Sequence, residues 1–145
     1  MYKIINGKLE VFLVHPGGPF FQNKDKGFWG IPKGLQEGNE VLLDTAVREF
    51  REETGFNPVG EFIPLGSVKQ KNSKTVHAWA FLTGNSNPEK IQSNTFEMEW
   101  PPHSGKKEHF PEVDRGEFFT VSAAREKIVD AQSAFISELE KYLGI

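Results

Sequence analysis

Three glutamates stand within five positions of one another, at Glu49, Glu52 and Glu53, directly after Arg48. Neighbouring carboxylates on a helix repel one another by roughly 0.2–0.5 kcal/mol per pair, so a helix built for stability alone would place a lysine among them. A hard divalent cation such as Mg²⁺ removes this conflict because it prefers oxygen ligands. The cluster predicts a metal site in which Arg48 neutralises part of the charge or steadies a ligand carboxylate. The alternative is a solvated charged face.

Helical geometry places the three carboxylates together. At about 100° per residue, Glu52 and Glu53 fall on either side of Glu49, on a face roughly 100° wide. An apolar stripe adjoins this face, formed by Leu43, Ala46, Val47, Phe50 and Thr54. The carboxylates are therefore expected at the edge of the core, where Glu49 and Glu53, one turn apart, are suited to hold a metal together.

The cluster belongs to a longer pattern that runs from Gly34 to Phe56. A chance match to its seven fixed identities is on the order of one in a billion per start site at ordinary residue frequencies. The stretch resembles the Nudix box of the Nudix hydrolase superfamily at every defined position, with five residues between the first two and seven between the next two: Gly34, Glu40, Arg48-Glu49, Glu52-Glu53 and Gly55.

The resemblance implies an enzyme that uses Mg²⁺ or Mn²⁺ to cleave a phosphoanhydride bond in a nucleoside diphosphate linked to another group. By position, the metal ligands would be Glu49, Glu52, Glu53 and the backbone carbonyl of Lys33. Gly34, Glu40 and Gly55 would have structural roles, with Glu40 bracing the loop against the helix through Arg48. A bound metal neutralises the pyrophosphate and acidifies a water.

A carboxylate must then take the proton of that water. Glu49 or Glu52 could do so within the box. The resemblance also allows a base or an additional metal ligand from a later loop, here Lys106–Asp114. Glu112 is favoured there over Glu108. The alternative is that Glu112 is an exposed loop acid without a catalytic role. If Phe96–Pro102 is a specificity insertion, Glu97 or Glu99 would compete for this role.

Substrate contacts are expected near the box. Lys33 stands in Pro32-Lys33-Gly34, which looks like the branch that hydrolyses dinucleoside polyphosphates or diphosphoinositol polyphosphates, and it could reach a phosphate oxygen. Further candidates are His77 in a strand and Lys69, which shares a basic hairpin tip with Lys71 and Lys74. Four aromatic residues could stack on a base of the substrate, and the alternative for each is a position in the core: Phe28, Trp29, Phe96 and Trp100.

The expected function is hydrolysis of a dinucleoside polyphosphate or a nucleoside triphosphate by metal-activated water. One alternative is a diphosphoinositol polyphosphate hydrolase, which should need a denser basic cleft than a chain of net charge −3 provides. Another is a binding module with the same fold that senses a nucleotide without cleaving it. Such a module need not keep the full set of acids.

Composition sets further limits. The 145 residues fit one Nudix domain over 1–145 and can bury a core without disulfides. The charge of −3 argues against a surface that coats nucleic acid, and the apolar runs are too short to span a membrane. The absence of cysteine fits the cytoplasm. The expected partner is a small nucleotide polyphosphate, and a homodimer stays open.

The elements that must position the site predict an α+β fold, a mixed α/β/α sandwich in which the Nudix helix and a C-terminal helix pack on a central mixed sheet. Expected strands are Tyr2–Ile5 and Leu9–Val14 around an Asn6-Gly7 turn, Phe28–Ile31, Glu61–Leu65, Gly66–Lys69, Thr75–Leu82, Phe96–Trp100 and Gly116–Thr120. Expected loops are 15–27, 83–95 and 103–115. Helices are expected over Ser122–Val129 and Ser133–Leu143, the latter capped by Asp130 or Ser133.

Overall fold

The computed structural model describes residues 1–83 and 86–145, so part of the loop predicted over 83–95 lies outside the described residues. The strands are β1 (Tyr2–Ile5), β2 (Lys8–Pro16), β3 (Ile63–Lys69), β4 (Thr75–Ala80), β5 (Thr95–Glu99), β6 (Lys107–Pro111) and β7 (Val113–Thr120). The helices are α1 (Leu42–Thr54), α2 (Val121–Lys127) and α3 (Ser133–Leu143), with short 3₁₀ turns at Pro88–Lys90 and Asp130–Gln132.

The strands form a mixed arrangement. β1, β2 and β7 are antiparallel in that order, and the β3–β4 hairpin joins them through a parallel bridge between Tyr2 and Leu82. The predicted Asn6-Gly7 turn links β1 to β2, with φ angles of 52° and 77° that suit a tight hairpin. β5 and β6 form a separate two-stranded hairpin.

Helices cover both faces of the sheet, as the apolar run in β2 indicates. Leu9, Val11 and Leu13 pack with residues of α2 and α3. Phe12 and Val14 point to the other face, where Phe12 lies 6.4 Å from the Phe50 ring of α1, centroid to centroid. Because alternate residues of one strand serve two cores, the α/β/α sandwich is confirmed.

Several local predictions were wrong. The polar loop expected over 103–115 contains β6 and the start of β7, because its charged residues pair with β5 as an exposed strand. Phe28–Ile31 forms isolated bridges and no strand. The last helix begins at Ser133 directly after the 3₁₀ turn, so neither Asp130 nor Ser133 caps it with a side chain. Within the described ranges, no helix has the length and apolar character needed to cross a membrane.

Gly116 shows how closely the core under α1 is packed. A Cβ atom at this position of β7 would lie 2.5 Å from Phe12 Cζ and 3.0 Å from Ile91 Cδ1. Gly116→Ala should therefore destabilise the fold by about 1–3 kcal/mol through overpacking, measured by urea unfolding. The neighbouring Glu117→Ala, at an exposed position of the same strand, should change stability by less than about 0.5 kcal/mol. Equal effects of the two variants would contradict this packing.

Candidate active site

The helix that carries the acids is α1. Thr45, Phe50 and Thr54 anchor its buried face, and its end is set by Gly55, which adopts φ 77° and donates its N–H to the Arg51 carbonyl. This left-handed conformation favours glycine, and Gly55 has the structural role that the resemblance implied. Backbone bonds from Asn94 to the Glu52 carbonyl and from Gln92 to the Thr54 carbonyl fix the same end.

Arg48 joins the acidic cluster to the loop before the helix. Its Nε donates to Glu40 Oε2 at 2.8 Å and its Nη2 to Glu40 Oε1 at 3.0 Å, a forked contact. Its Nη1 donates to Glu49 Oε1 at 2.8 Å and contacts Glu52 Oε2 at 3.1 Å. Nη2 also donates to the Leu35 carbonyl at 2.9 Å. One guanidinium thus holds three carboxylates and the loop.

Glu40 lies between the loop and α1, where the resemblance implies a brace. Beyond Arg48, it accepts hydrogen bonds from the Glu37 N–H at 2.9 Å and from Thr45 Oγ1 at 3.0 Å. The Arg48 contacts, followed by the Glu37 N–H, lower the pKa of Glu40 from 4.5 to about 2. Glu40 therefore stays ionised and ties the loop to α1.

Glu49 and Glu53 converge on the backbone of Lys33 and Gly34. The Lys33 N–H donates to Glu53 Oε2 at 2.7 Å. A Cβ atom on Gly34 would lie 1.8 Å from Glu49 Cδ and about as close to both carboxylate oxygens. Glycine is required here because the carboxylate takes the space of any side chain.

This convergence makes both carboxylates reluctant to ionise. Burial raises the pKa of Glu53 from 4.5 to about 7, with further increases from the charges of Glu49 and Glu112. Burial also raises the pKa of Glu49, although the hydrogen bond from Arg48 opposes it. Two crowded acids at the edge of the core are stabilised by a cation that compensates their charge.

The donor set fits a hard divalent metal. Its atoms are carboxylate oxygens beside the main chain of Lys33, whose carbonyl was the fourth expected ligand, and the Gly34 position leaves room for nothing larger. Among residues 1–83 and 86–145, no three acidic or imidazole side chains form a ready-made ligand group. Glu52 contacts Arg48 Nη1 at 3.1 Å, and among the described residues no hydrogen bond joins it to the Lys33–Gly34 backbone.

Glu112 lies beside the cluster. Its backbone N–H donates to the Asn94 carbonyl at 2.9 Å, and the Asn94 N–H donates to the Glu52 carbonyl at 2.7 Å. Its exposed carboxylate is close enough to raise the pKa of Glu53. The competing acids lie on the β5–β6 hairpin, where Glu97 contacts Lys107 and His109. Glu99 accepts from the His103 N–H, and Glu108 pairs with Met98.

A cleft of about 500 Å³ opens between the Lys33 loop, α1 and the β3–β4 hairpin. Lys33, His77 and Trp79 line it, together with Lys74 at the hairpin tip. Lys69, at the end of the outer strand β3, does not line the cleft. The structure thus brings two of the predicted substrate contacts, Lys33 and His77, to one cleft and leaves Lys69 outside.

Trp29 corrects the substrate prediction. It is 1% exposed, and its ring packs against Phe119 and His15. Its Nε1 donates to Asp25. Trp29 is therefore a core residue that no base can reach. Phe96 packs on Phe110 and Trp100 on Phe20 within the hairpin region, whereas Phe28 is 39% exposed.

Sequence reasoning missed two buried polar residues near the site. His15 and Gln132 are both 0% exposed. Gln132 accepts from the Ile31 N–H and donates to Gln70, which holds the chain ahead of Lys33. Little in the sequence indicates that either residue is buried. His15 directly precedes a glycine- and proline-rich loop, and Gln132 lies in a polar stretch before the last helix.

Replacing Glu40 with Gln should remove a pH-dependent part of the stability. Because the pKa of Glu40 is lowered from 4.5 to about 2, its pairing stabilises the fold fully above pH 4.5 and is lost as the pH falls toward 2. Urea midpoints of wild type and Glu40→Gln should differ at neutral pH and converge in acid. Glu138→Gln, at an exposed position of α3, is the control. A difference in urea midpoint that does not change with pH would contradict this role of Glu40.

The chain is similar to known proteins in sequence and in fold. Over 51 residues the chain is 47% identical to the Mus musculus protein called nucleoside diphosphate-linked moiety X motif 6. The Homo sapiens protein of the same name is 44% identical over 52 residues. These segments cover 35% and 36% of this chain, and the chain spans 16% of the length of either relative.

Solved structures share the fold. The NUDIX domain of Shewanella oneidensis NrtR complexed with ADP ribose has a TM-score of 0.67 at 16% identity, covering 98% of this chain and 82% of that one. A C. elegans Ap4A hydrolase binary complex has a TM-score of 0.63 at 19% identity, covering 99% and 92%. The family model described as the NUDIX domain matches residues 1–139. With that match over nearly its whole length, this chain belongs to the NUDIX domain family.

Proposed function

We propose that the protein is a metal-dependent pyrophosphohydrolase that cleaves a phosphoanhydride bond in a nucleoside diphosphate-linked substrate. The observation that carries the proposal is the convergence of Glu49 and Glu53 on the Lys33–Gly34 backbone. Such an arrangement costs stability unless a cation occupies it, and a pure binding module has no need to keep it. Mg²⁺ or Mn²⁺ suits the oxygen donors, and the absence of cysteine favours a cytoplasmic site of action.

The residues take distinct roles in this proposal. Glu49, Glu53 and the Lys33 carbonyl would hold the metal, whose chemistry when bound would be to neutralise phosphate charge and make a water more acidic. Glu52 is a further ligand or the base, and Arg48 holds Glu49 and Glu52 in place. Glu112, exposed beside Glu53, accepts the proton of the attacking water or adds a ligand.

In the chemical step, the water oxygen forms a bond to phosphorus while the anhydride P–O bond breaks. The bonding pair stays on the leaving phosphate oxygen. Lys33 Nζ, beside the acidic cluster and on the wall of the cleft, is placed to neutralise a phosphate of the substrate. The step needs no co-reactant besides water.

For the substrate, we favour a dinucleoside polyphosphate, with a nucleoside triphosphate as the second candidate. The cleft offers a half-buried aromatic ring, Trp79, for a base and two lysines, Lys33 and Lys74, for phosphates. A diphosphoinositol polyphosphate would need a denser basic wall than these two lysines supply. The Ap4A hydrolase among the structural neighbours supports this order, since its substrate class matches the Pro32-Lys33-Gly34 signature.

Glu53→Gln should abolish metal-dependent turnover while the fold persists. The charge of Glu53 is unfavourable in the metal-free protein, because burial raises its pKa to about 7. Above pH 7 the neutral variant should therefore be at least as stable as metal-free wild type. Glu138→Gln should keep full activity. Near wild-type turnover by Glu53→Gln would show that the metal assignment is wrong.

The substrate class is tested by a panel with Mg²⁺ that contains a dinucleoside tetraphosphate, nucleoside triphosphates, ADP-ribose and a diphosphoinositol polyphosphate. Chromatography of the products identifies the bond that is cleaved. Products from the dinucleoside tetraphosphate, with none from the triphosphates, are expected. Binding of nucleotides without turnover of any member would favour the sensing module instead.

A further inference from the structure

The pairing of β2 with β7 changes register by one residue next to the proposed active site. His15 lies opposite Arg115, but the next residue, Pro16, lies opposite Val113. Asp114 is therefore the extra residue of a β-bulge. A bulge leaves its extra residue without a ladder partner, bends the strand and redirects the chain beyond it.

This bulge determines the face of the sheet to which the Val113 side chain points. Val113 and Phe118 are five positions apart, yet both belong to the cluster on the α1 side, because one extra residue reverses the alternation of side chains. Directly before Val113, the Glu112 carbonyl accepts from the Gly17 N–H at 3.0 Å. Glu112 thus lies in the bend next to the bulge, and its main chain is linked through Asn94 to the Glu52 carbonyl of α1.

His15 holds the bulge residue. Its Nδ1 lies 2.8 Å from Asp114 Oδ1, and its Nε2 donates to the Lys24 carbonyl at 2.6 Å. The side chain is fully buried, and its ring packs against Trp29 with centroids 5.2 Å apart. Since both nitrogens are bonded and the ring is enclosed, His15 has one orientation available. The bulge residue is fixed by a rigid partner.

The strand β2 has no packing need for a histidine at this position. Leu9, Val11 and Leu13 precede it on the same face and fill the core there. A buried imidazole is unfavourable unless its nitrogens are satisfied, and here both partners come from segments outside β2, the Asp114 bulge and the loop at Lys24. The histidine serves to join these segments.

We propose that His15 and Asp114 are positioning residues for Glu112. The pair locks the bulge and so holds the Glu112 bend against the end of α1, with its carboxylate near Glu53. This inference rests on the proposed hydrolase function. It predicts that loss of the pair acts on the chemical step through Glu112, with little effect on substrate affinity, because neither residue lines the cleft.

Asp114 is the safer position to vary, since 33% of its side chain is exposed. Asp114→Ala removes the partner of His15 and should lower kcat by about 10- to 100-fold, as is usual for residues that orient metal or catalytic ligands, with KM nearly unchanged. Asp114→Asn should restore most of the rate, because its amide can bond to Nδ1 while Nε2 still donates to Lys24. Arg125→Ala on α2, which breaks an exposed ion pair, is the control and should keep the wild-type rate.

A double-mutant cycle separates positioning from general destabilisation. Asp114→Ala should cause no further loss of kcat in a Glu112→Gln background. Equal losses in both backgrounds, or an Asn variant as slow as the Ala variant, would overturn the inference while leaving the hydrolase intact. So would a Glu112→Gln variant with the wild-type rate. Wild-type protein that turns over no member of the substrate panel would overturn the proposed function, and the positioning role with it.

Discussion

The contact between two glutamates and the main chain of Lys33 and Gly34 is the constraint on which the rest of the site depends. Glu49 and Glu53 lie at the edge of the core, one helical turn apart, and both contact the backbone of Lys33 and Gly34. Burial raises the pKa of each carboxyl, and the charge of Glu49 adds to the increase at Glu53. The fold tolerates this local instability because contacts made by the remaining elements stabilise the site.

Arg48 is the main compensation. By contacting Glu40, Glu49 and Glu52 with one guanidinium, it offsets part of the repulsion and fastens the loop that carries Lys33. Lysine could not replace it, since an ammonium lacks the planar fork that meets two carboxylates at once. On the other side, Gln92 and Asn94 donate main-chain hydrogen bonds to the Thr54 and Glu52 carbonyls at the end of α1. The acids are thus held from both flanks before any metal binds.

Much of this arrangement could be read from the sequence. The spacing of Glu49, Glu52 and Glu53 beside the apolar stripe of α1 is a local property, and so are the Asn6-Gly7 turn and the left-handed Gly55. The pairing of Glu40 with Arg48 followed from the resemblance and is confirmed by the forked contact.

What could not be read depends on partners that are distant in the chain. β6 is too polar to suggest a strand, and it forms because β5 offers edge pairing. Trp29 could not be assigned to the core without the ring of Phe119, 90 residues later. The buried role of His15 needs Asp114, which is 99 residues away. Neither periodicity nor composition carries such information, because it arises only when the sheet is assembled.

The proposed function requires that a divalent cation binds between Glu49, Glu53 and the Lys33 carbonyl. Crystals soaked in Mn²⁺ and recorded at the manganese absorption edge locate the ion without any assumption about substrate. We expect an anomalous peak within coordination distance, about 2.0–2.3 Å, of both carboxylates and that carbonyl. A well-occupied peak elsewhere, or none at this position at saturating Mn²⁺, would contradict it.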